Sequence, residues 1–281
     1  MFSRLLALVL VMSLEPIPNS PGQSSAIAPA YLGFDRNNYP GNQNLKVLRR
    51  TFSYTGYWLN APPSARTNTW SGKRKTLQSA GFGFLVLFNG RLFSDLKSVS
   101  YANKLGNSDA RAAVAAARRE GFPARTVIFL DQEQGGRMLP EQKAYIYAWV
   151  DGVTAGGFRA GIYCSGISAD KEGGEDIVTA EDIRQNAGSR KIVYWVTNDA
   201  CPPSPGCAFP KKPPAPVDSG IRFADVWQFA QSPKRPDVAA SCPANYNADG
   251  NCYPPGIDVA RRLHIDTNTA TSADPSHGRT R

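Results

Sequence analysis

The stretch Thr-Val-Ile-Phe-Leu-Asp-Gln-Glu at residues 126–133 decides the fold. Four apolar residues between Thr126 and Asp131 predict a buried strand, because a short apolar run rich in β-branched residues suits a strand better than a helix. The Ala-rich segment Ser108–Glu120 precedes it and ends before Gly121, which predicts a helix with a serine N-cap. A helix that leads into a buried strand is the repeating unit of a parallel α/β sheet.

The same alternation of strands and helices continues along the chain. Strands are predicted at Tyr31–Asp35, Thr55–Leu59, Gly83–Phe88, Thr126–Asp131, Ala160–Ser165, Ile192–Thr197, Asp225–Phe229 and Gly256–Val259. Helices are predicted at Asn44–Arg50, Ser71–Ala80, Ser108–Glu120, Leu139–Thr154 and Thr179–Asn186. This pattern favours an α/β fold, a (β/α) TIM-type barrel with parallel strands, over an open doubly wound sheet, since no G-x-G-x-x-G turn follows a strand. Pro-rich segments at 200–220 and 233–255 predict that the last units lack regular helices.

The first 28 residues have the pattern of a secretory signal peptide. Arg4 precedes a ten-residue apolar core, and small residues follow at 24–28. The core is too short to cross a bilayer, which takes about 20 residues, and a buried N-terminal helix is the alternative. We therefore expect an exported protein, extracellular, periplasmic or associated with the cell wall, without a transmembrane segment. Its expected parts are a leader (1–28), a barrel domain (29–265) and a polar, disordered tail (266–281).

The charge of the chain limits the class of partner. The formal net charge is +9, but the basic residues are scattered instead of clustered on one helix or beside a stacking motif. This distribution argues against a nucleic-acid partner. It fits attraction to an anionic surface such as a cell wall, or simply solubility.

Four of the five cysteines form close pairs in two loops, Cys201 with Cys207 and Cys242 with Cys252. In an exported chain such pairs predict two local disulfides. A zinc site is the alternative, but the spacing is wider than zinc clusters favour, and neither His264 nor His277 is near a pair. Cys164 lies inside a predicted strand and is expected to be a buried, inert thiol.

Carboxylates follow three of the predicted strands, at Asp35, at Asp131 with Glu133, and at Asp258. In barrels of this type the functional side chains lie at the C-terminal ends of strands. Asp131 and Glu133 are two residues apart, so on an extended strand they face the same side, with Cα atoms about 7 Å apart. Such a pair suits glycosidic bond cleavage, in which one carboxyl protonates the leaving oxygen and the other stabilises positive charge on the sugar. A solvated surface pair is the alternative, which the preceding apolar run disfavours.

Aromatic residues recur at the same strand positions: Tyr57, Trp58, Phe88, Tyr163, Tyr194, Trp195 and Trp227. Sugar rings pack their C–H faces on aromatic rings, although aromatic residues are common in strand cores as well. We expect a mixture of both roles. Trp227 with Gln228, then Tyr163 and Trp195, are the candidates for contact with substrate.

Five motifs in order resemble a known family: Gly-Phe-Asp (33–35), Phe-Leu-Asp-Gln-Glu (129–133), Gly-Ile-Tyr-Cys-Ser (161–165), Val-Trp-Gln-Phe (226–229) and Gly-Ile-Asp-Val (256–259). The order is similar to the family 25 glycoside hydrolases, the N-acetylmuramidase lysozymes. It is more similar to the related glycoside-hydrolase-like family catalogued as domain of unknown function 1906. The similarity covers roughly Tyr31 to Leu263.

The resemblance implies roles for the acids. Glu133 would be the general acid, and Asp131 would position or stabilise the reacting N-acetyl sugar, which can itself supply the nucleophile. Asp35 and Asp258 would line the site from the first and last strands. No metal or organic cofactor is implied.

Two functional hypotheses follow. The first is an exported, monomeric hydrolase of peptidoglycan or a related N-acetylated glycan, chitin included. The second is a catalytically inactive module that binds cell-wall carbohydrate on the same barrel. The presence of all four acids favours the first. A dehydrogenase or a phosphate-binding barrel is disfavoured because glycine-rich phosphate loops are absent from the sequence.

Overall fold

The computed structural model of the 281-residue chain describes residues 29–172, 175–200, 202, 204–239 and 245–280. The predicted leader, residues 1–28, lies outside this part of the chain. Within it, no helix is long and apolar enough to cross a membrane.

Eight strands form a closed barrel in the order β1-β10-β9-β8-β5-β4-β3-β2. The strands, with a separate β6–β7 hairpin, are β1 (Tyr31–Asp35), β2 (Tyr54–Trp58), β3 (Gly83–Asn89), β4 (Val127–Asp131), β5 (Arg159–Ser165), β6 (Ser168–Glu172), β7 (Glu175–Val178), β8 (Ile192–Thr197), β9 (Val226–Ala230) and β10 (Asp266–Ala270). Neighbouring barrel strands are parallel, except that β10 runs antiparallel to both β1 and β9. The predicted (β/α) barrel is therefore confirmed.

Helices connect the strands in the first two-thirds of the chain: α1 (Leu45–Leu48), α2 (Arg74–Ser79), α3 (Phe93–Leu96), α4 (Val99–Arg119), α5 (Pro140–Ala155) and α6 (Thr179–Asn186). A further short helix, α7 (Pro236–Ala239), follows β9. After β8 the helical elements among the described residues are the 3-10 turns Pro216–Ser219 and Val259–Arg261 and the four-residue α7. The last units thus lack long helices, as predicted.

Helix α4 begins nine residues earlier than the sequence predicts, with Ser98 and not Ser108 as its N-cap. The intervening segment contains Gly106 and Asn107, which are weak helix formers. Gly106 is needed there because a Cβ atom would lie 2.3 Å from the Tyr145 carbonyl oxygen. Close packing of α4 against α5 therefore overrides the local propensity.

The prediction of the last strand is wrong. Gly256–Val259 contains no strand, and the barrel is closed by β10, whose sequence Asp-Thr-Asn-Thr-Ala is polar. Every residue of β10 except Asp266 is buried. Its inward-facing residues Asp266 and Asn268 are polar because they hydrogen-bond with groups of the site, so the strand has no apolar face for a sequence pattern to detect.

The tail is likewise ordered instead of disordered, and residues 271–280 cross the N-terminal end of the barrel. Ser276 is fully buried there. Its Oγ accepts a hydrogen bond from Val86 N (2.8 Å), its carbonyl accepts one from Val127 N (2.8 Å), and its amide donates to Phe84 O (2.9 Å). The tail is polar because it satisfies backbone groups of β3 and β4 that no strand pairs.

The predicted disulfide pairing is also wrong. Cys207 is bonded to Cys252, with Cα atoms 5.3 Å apart. The loops that carry them follow β8 and β9, which are neighbours, so both loops lie at the same end of the barrel and are joined to each other. Cys201 and Cys242 lie outside the described residues. Cys164 is buried and unbonded, and burial raises the pKa of its thiol to about 12.

We predict that Ser276→Ala destabilises the protein by about 1–3 kcal/mol, because Val86 N would stay buried without an acceptor. The exposed Thr271→Ala is the matched control and should change stability little. Urea denaturation followed by circular dichroism measures both. Equal stability of the two variants would mean that the tail does not hold this end of the barrel.

Candidate active site

A cavity of about 390 Å³ opens at the C-terminal ends of the barrel strands. Its lining residues come from most of the barrel strands and from the loop after β9: Asp35, Asn37, Trp58, Pro63, Leu87, Asp131, Glu133, Tyr163, Trp195, Gln228, Gln231, Ser232, Pro233, Lys234, Arg235, Pro236 and Asp266. The cavity therefore combines four carboxyl groups with three aromatic rings and two cationic side chains.

Asp131 and Glu133 both line this cavity, as the sequence predicts. Asp131 is the last residue of β4 and is buried, whereas Glu133 is exposed at the rim. Gln132 N donates to Tyr163 O (3.0 Å) and so extends the strand ladder past Asp131. Gln134 is fixed from the other side, because its Oε1 accepts a hydrogen bond from Phe93 N (2.6 Å). The segment that carries Glu133 is thus held at both ends.

The two carboxyl groups change each other's acidity. Burial raises the pKa of Asp131 well above its usual range, and the neighbouring Glu133 raises it further. Burial also raises the pKa of Glu133, while its hydrogen bond with Asp131 partly opposes the rise. Two carboxyl groups in this arrangement share a proton between them.

Asp35, at the end of β1, faces the same cavity. Its Oδ1 accepts hydrogen bonds from Asn268 Nδ2 (2.7 Å) and Gln228 Nε2 (3.0 Å). Burial raises the pKa of Asp35 from 3.8 to about 6, and these two donors limit the rise. Gly56 on β2 leaves the space that Asp35 occupies, since a Cβ atom there would lie 2.7 Å from the Asp35 Cβ.

A polar network behind Asp35 fixes the wall formed by β5 and β9. Tyr163 donates from its hydroxyl to Gln228 Oε1 (2.7 Å). Gln231 Nε2 lies within hydrogen-bond distance of Gln228 Oε1 (2.8 Å), Tyr163 Oη (2.9 Å) and Thr197 Oγ1 (3.0 Å). The Gln228 side chain is therefore oriented to donate its amide protons to Asp35. Tyr163 and Gln228 both lie where the sequence predicts.

The fourth acid of the cavity is Asp266 and not Asp258. Asp258 is exposed and caps the turn at Val259–Arg261, because its segment is not a barrel strand. Asp266 begins β10 opposite Asp35, and its Oδ1 accepts a hydrogen bond from Ser232 N (2.6 Å). Burial and the nearby Asp35 raise the pKa of Asp266 well above its usual range.

The aromatic residues divide between the two faces of the barrel wall. Trp58, Tyr163 and Trp195 line the cavity, and Trp195 Nε1 donates to Asn268 Oδ1 (3.0 Å). Trp227 does not line it. The indole of Trp227 is fully buried outside the barrel and donates to Asn198 O (2.9 Å), because alternate residues of a strand face opposite sides and Gln228 faces inward.

Tyr57, Phe88 and Tyr194 are also absent from the cavity lining. Tyr57 hydrogen-bonds with Glu120 at the end of α4, and the other two rings pack against Trp149 and Phe223.

Sequence reasoning missed Asp266, Asn268 and the cavity-lining part of the loop after β9. The one usable signal was the alternating Thr267 and Thr269, since β-branched residues in a polar segment favour a strand. Among the described residues, no group of three or more His, Cys, Asp and Glu side chains is arranged to hold a metal ion.

We predict that the free energy of unfolding falls as pH rises from about 4 to 6, because folding disfavours ionisation of Asp35 over this interval. The Asp35 contribution is on the order of 2–3 kcal/mol, so Asp35→Asn should make the fall shallower. Asp258→Asn changes an exposed carboxyl and should keep the wild-type slope. Urea denaturation at several pH values gives the three slopes. A wild-type slope in Asp35→Asn would show that Asp35 ionises normally.

Three solved structures illustrate what the barrel is similar to. An uncharacterized protein of B. stearothermophilus has a TM-score of 0.54 and 22% identity over 85% of this chain and 95% of its own. The Tat-secreted protein Rv2525c of Mycobacterium tuberculosis has a TM-score of 0.50 and 12% identity over 86% of this chain and 95% of its own. The spore cortex lytic enzyme SleM of Clostridium perfringens has a TM-score of 0.49 and 14% identity over 86% of this chain and 68% of its own. At these identities the first two structures show a similarity of fold alone.

At the level of sequence, no curated protein matches the chain. Residues 53–201, slightly more than half of the 281 residues, match the family model described as the Rv2525c-like, glycoside hydrolase-like domain. The matched segment runs from just before β2 to just after β8 and includes Asp131, Glu133, Tyr163 and Trp195. The chain therefore belongs to the Rv2525c-like family of glycoside hydrolase-like domains.

Proposed function

We propose that the protein is an exported glycoside hydrolase that acts on peptidoglycan or a related N-acetylated glycan by carboxylate acid catalysis. The observation that carries the proposal is the Asp131–Glu133 pair, in which both carboxyl groups have a raised pKa at the mouth of an aromatic-lined cavity. Export is supported by the leader pattern of residues 1–28. The structural neighbour Rv2525c is itself described as Tat-secreted.

Glu133 acts as the general acid. Its side chain is exposed at the rim, where it can reach the oxygen that links two sugar rings. A general acid has to be protonated near the working pH. Although Glu133 is exposed as a residue, its carboxyl group is partly desolvated where it lines the cavity, which raises its pKa and favours the protonated form. Glu133 gives its proton to the leaving oxygen as the bond from that oxygen to the anomeric carbon breaks.

Asp131 positions the acetamido group of the substrate. Its Oδ2 is buried and accepts no hydrogen bond from any described residue. A buried acceptor without a donor is costly, and an acetamido N–H would supply that donor. The acetamido carbonyl oxygen, aligned in this way, attacks the anomeric carbon as the leaving group departs. Water then opens the cyclic intermediate, and Glu133 takes up the proton that this water releases.

Asp35 and the aromatic rings complete the site. With a pKa of about 6, Asp35 is largely ionised at neutral pH and stabilises positive charge on the sugar. Tyr163 and Trp195 pack edge to face with ring centroids 4.6 Å apart. They present a rigid apolar wall to the C–H face of a sugar ring.

We predict that wild-type protein releases reducing ends from purified peptidoglycan or chitin and that Glu133→Gln lowers the rate about 100-fold or more, because the amide cannot donate the catalytic proton. Glu181→Gln, at an exposed position on α6, is the matched control and should keep full activity. Reducing-end assays on both glycans measure the rates, and the better substrate identifies the glycan.

Two outcomes would contradict the proposal. Equal rates for wild type and Glu133→Gln would exclude Glu133 as the acid. If neither protein releases reducing ends and both sediment with the cell wall, the alternative of an inactive carbohydrate-binding module would replace the hydrolase.

A further inference from the structure

A second, smaller recess adjoins the catalytic cavity. It has a volume of about 150 Å³ and is lined by Arg36, Asn37, Asn38, Ser232, His264, Ile265 and Asp266. Asn37, Ser232 and Asp266 also line the catalytic cavity, so the two spaces share a wall. A substituent of a sugar bound in the larger cavity could therefore reach into the recess.

Arg36 is the unusual residue of this recess. It follows Asp35 directly, and its carbonyl oxygen is fixed by a hydrogen bond from Trp58 Nε1 (3.2 Å). Its half-buried guanidinium forms no hydrogen bond or ion pair with any described residue, and its Nε is fully buried without an acceptor. A guanidinium has five N–H donors and keeps its charge in proteins, so leaving it unpaired at a partly buried position is costly.

The neighbours of Arg36 do not neutralise it. Asp266 acts on it electrostatically, but burial and Asp35 raise the pKa of Asp266 and favour its neutral form. His264 lies in the same recess, and burial together with Arg36 lowers its pKa, so at neutral pH it is uncharged. The recess thus presents a cation that lacks an anionic partner.

We infer that this recess is a subsite for a carboxylate-bearing substituent of the glycan, with Arg36 as the residue that recognises it. A guanidinium pairs with a carboxylate through two parallel N–H···O bonds, which a neutral hydroxyl or amide cannot reproduce. Lys234 also lines the catalytic cavity on the side of Ser232, where its neighbour Arg235 is ion-paired with Asp199 (2.8 Å), whereas the Asp131–Glu133 pair lies at the end of β4. The inference rests on the proposed function in one respect, namely that the ligand is a glycan in the catalytic cavity.

Calorimetric binding of matched disaccharides tests the subsite without requiring turnover. N-acetylglucosaminyl-N-acetylmuramic acid carries a lactyl carboxylate, and N,N′-diacetylchitobiose lacks it. We expect wild type to bind the acidic sugar at least about tenfold more tightly, because only that sugar can form the charged, hydrogen-bonded pair with Arg36. Arg36→Met should abolish this preference and leave the affinity for diacetylchitobiose unchanged. Arg36→Lys, which keeps the charge but not the two-pronged geometry, should retain part of it.

Arg50→Met is the matched control, because Arg50 is exposed near the start of β2 at the opposite end of the barrel. It should keep the full preference for the acidic sugar, and thermal midpoints of all variants check their folding. A disaccharide that contains glucuronic acid shows whether the carboxylate must lie on a lactyl arm or on the ring, and an Arg36-dependent preference for either acidic sugar supports the subsite.

Equal loss of affinity for both matched sugars in folded Arg36→Met would overturn the inference, because Arg36 would then bind a neutral group that both sugars carry. Absence of any preference in wild type would overturn it as well. Measuring the same affinities in Glu133→Gln separates this inference from the proposed function. If wild type shows a preference that depends on Arg36 but releases no reducing ends, the hydrolase is refuted and the subsite is kept. Hydrolysis by wild type without such a preference would refute the subsite and keep the hydrolase.

Discussion

The antiparallel pairing of β10 between β1 and β9 is the constraint on which the site depends. This pairing closes the barrel and places Asp266 opposite Asp35. Two residues further along β10, Asn268 donates to Asp35 and accepts from Trp195. One polar strand therefore seals the barrel and also links Asp35 of β1 to Trp195 of β8. Its side-chain hydrogen bonds offset the cost of burying polar groups inside the barrel.

Closure has an electrostatic consequence. Four carboxyl groups share one cavity of about 390 Å³, and three of them are largely removed from solvent. Their charged forms are disfavoured by burial and by one another, so the pKa values of Asp35, Asp131, Glu133 and Asp266 all rise. A site of this kind holds protons at neutral pH and can donate them, which acid catalysis of glycosidic bond cleavage requires. The loop after β9 adds Lys234 and Arg235 to the lining, and Arg235 is ion-paired with the buried Asp199 (2.8 Å).

Much of this site could be predicted from the sequence. The parts that could not be predicted have identifiable physical reasons. Asp131, Glu133 and Asp35 were predictable because each follows an apolar strand, and strand ends in a barrel converge on one rim. Trp227 was wrongly predicted to line the cavity. The sequence does not show which of the adjacent residues Trp227 and Gln228 points into the barrel, whereas the hydrogen bonds of Gln228 in the structure do. Asp266 was missed because β10 has no apolar face. The Cys207–Cys252 bond depends on which loops lie side by side, and spacing along the chain carries no such information.

The crystal structure of Glu133→Gln with a bound N-acetylated disaccharide or longer peptidoglycan fragment would test the central claim most directly. The account predicts a sugar in the cavity at the end of β4, with the glycosidic oxygen within hydrogen-bond distance of residue 133 and the acetamido N–H on Asp131 Oδ2. A fragment bound elsewhere on the barrel, or one whose glycosidic oxygen lies out of reach of residue 133, would contradict it.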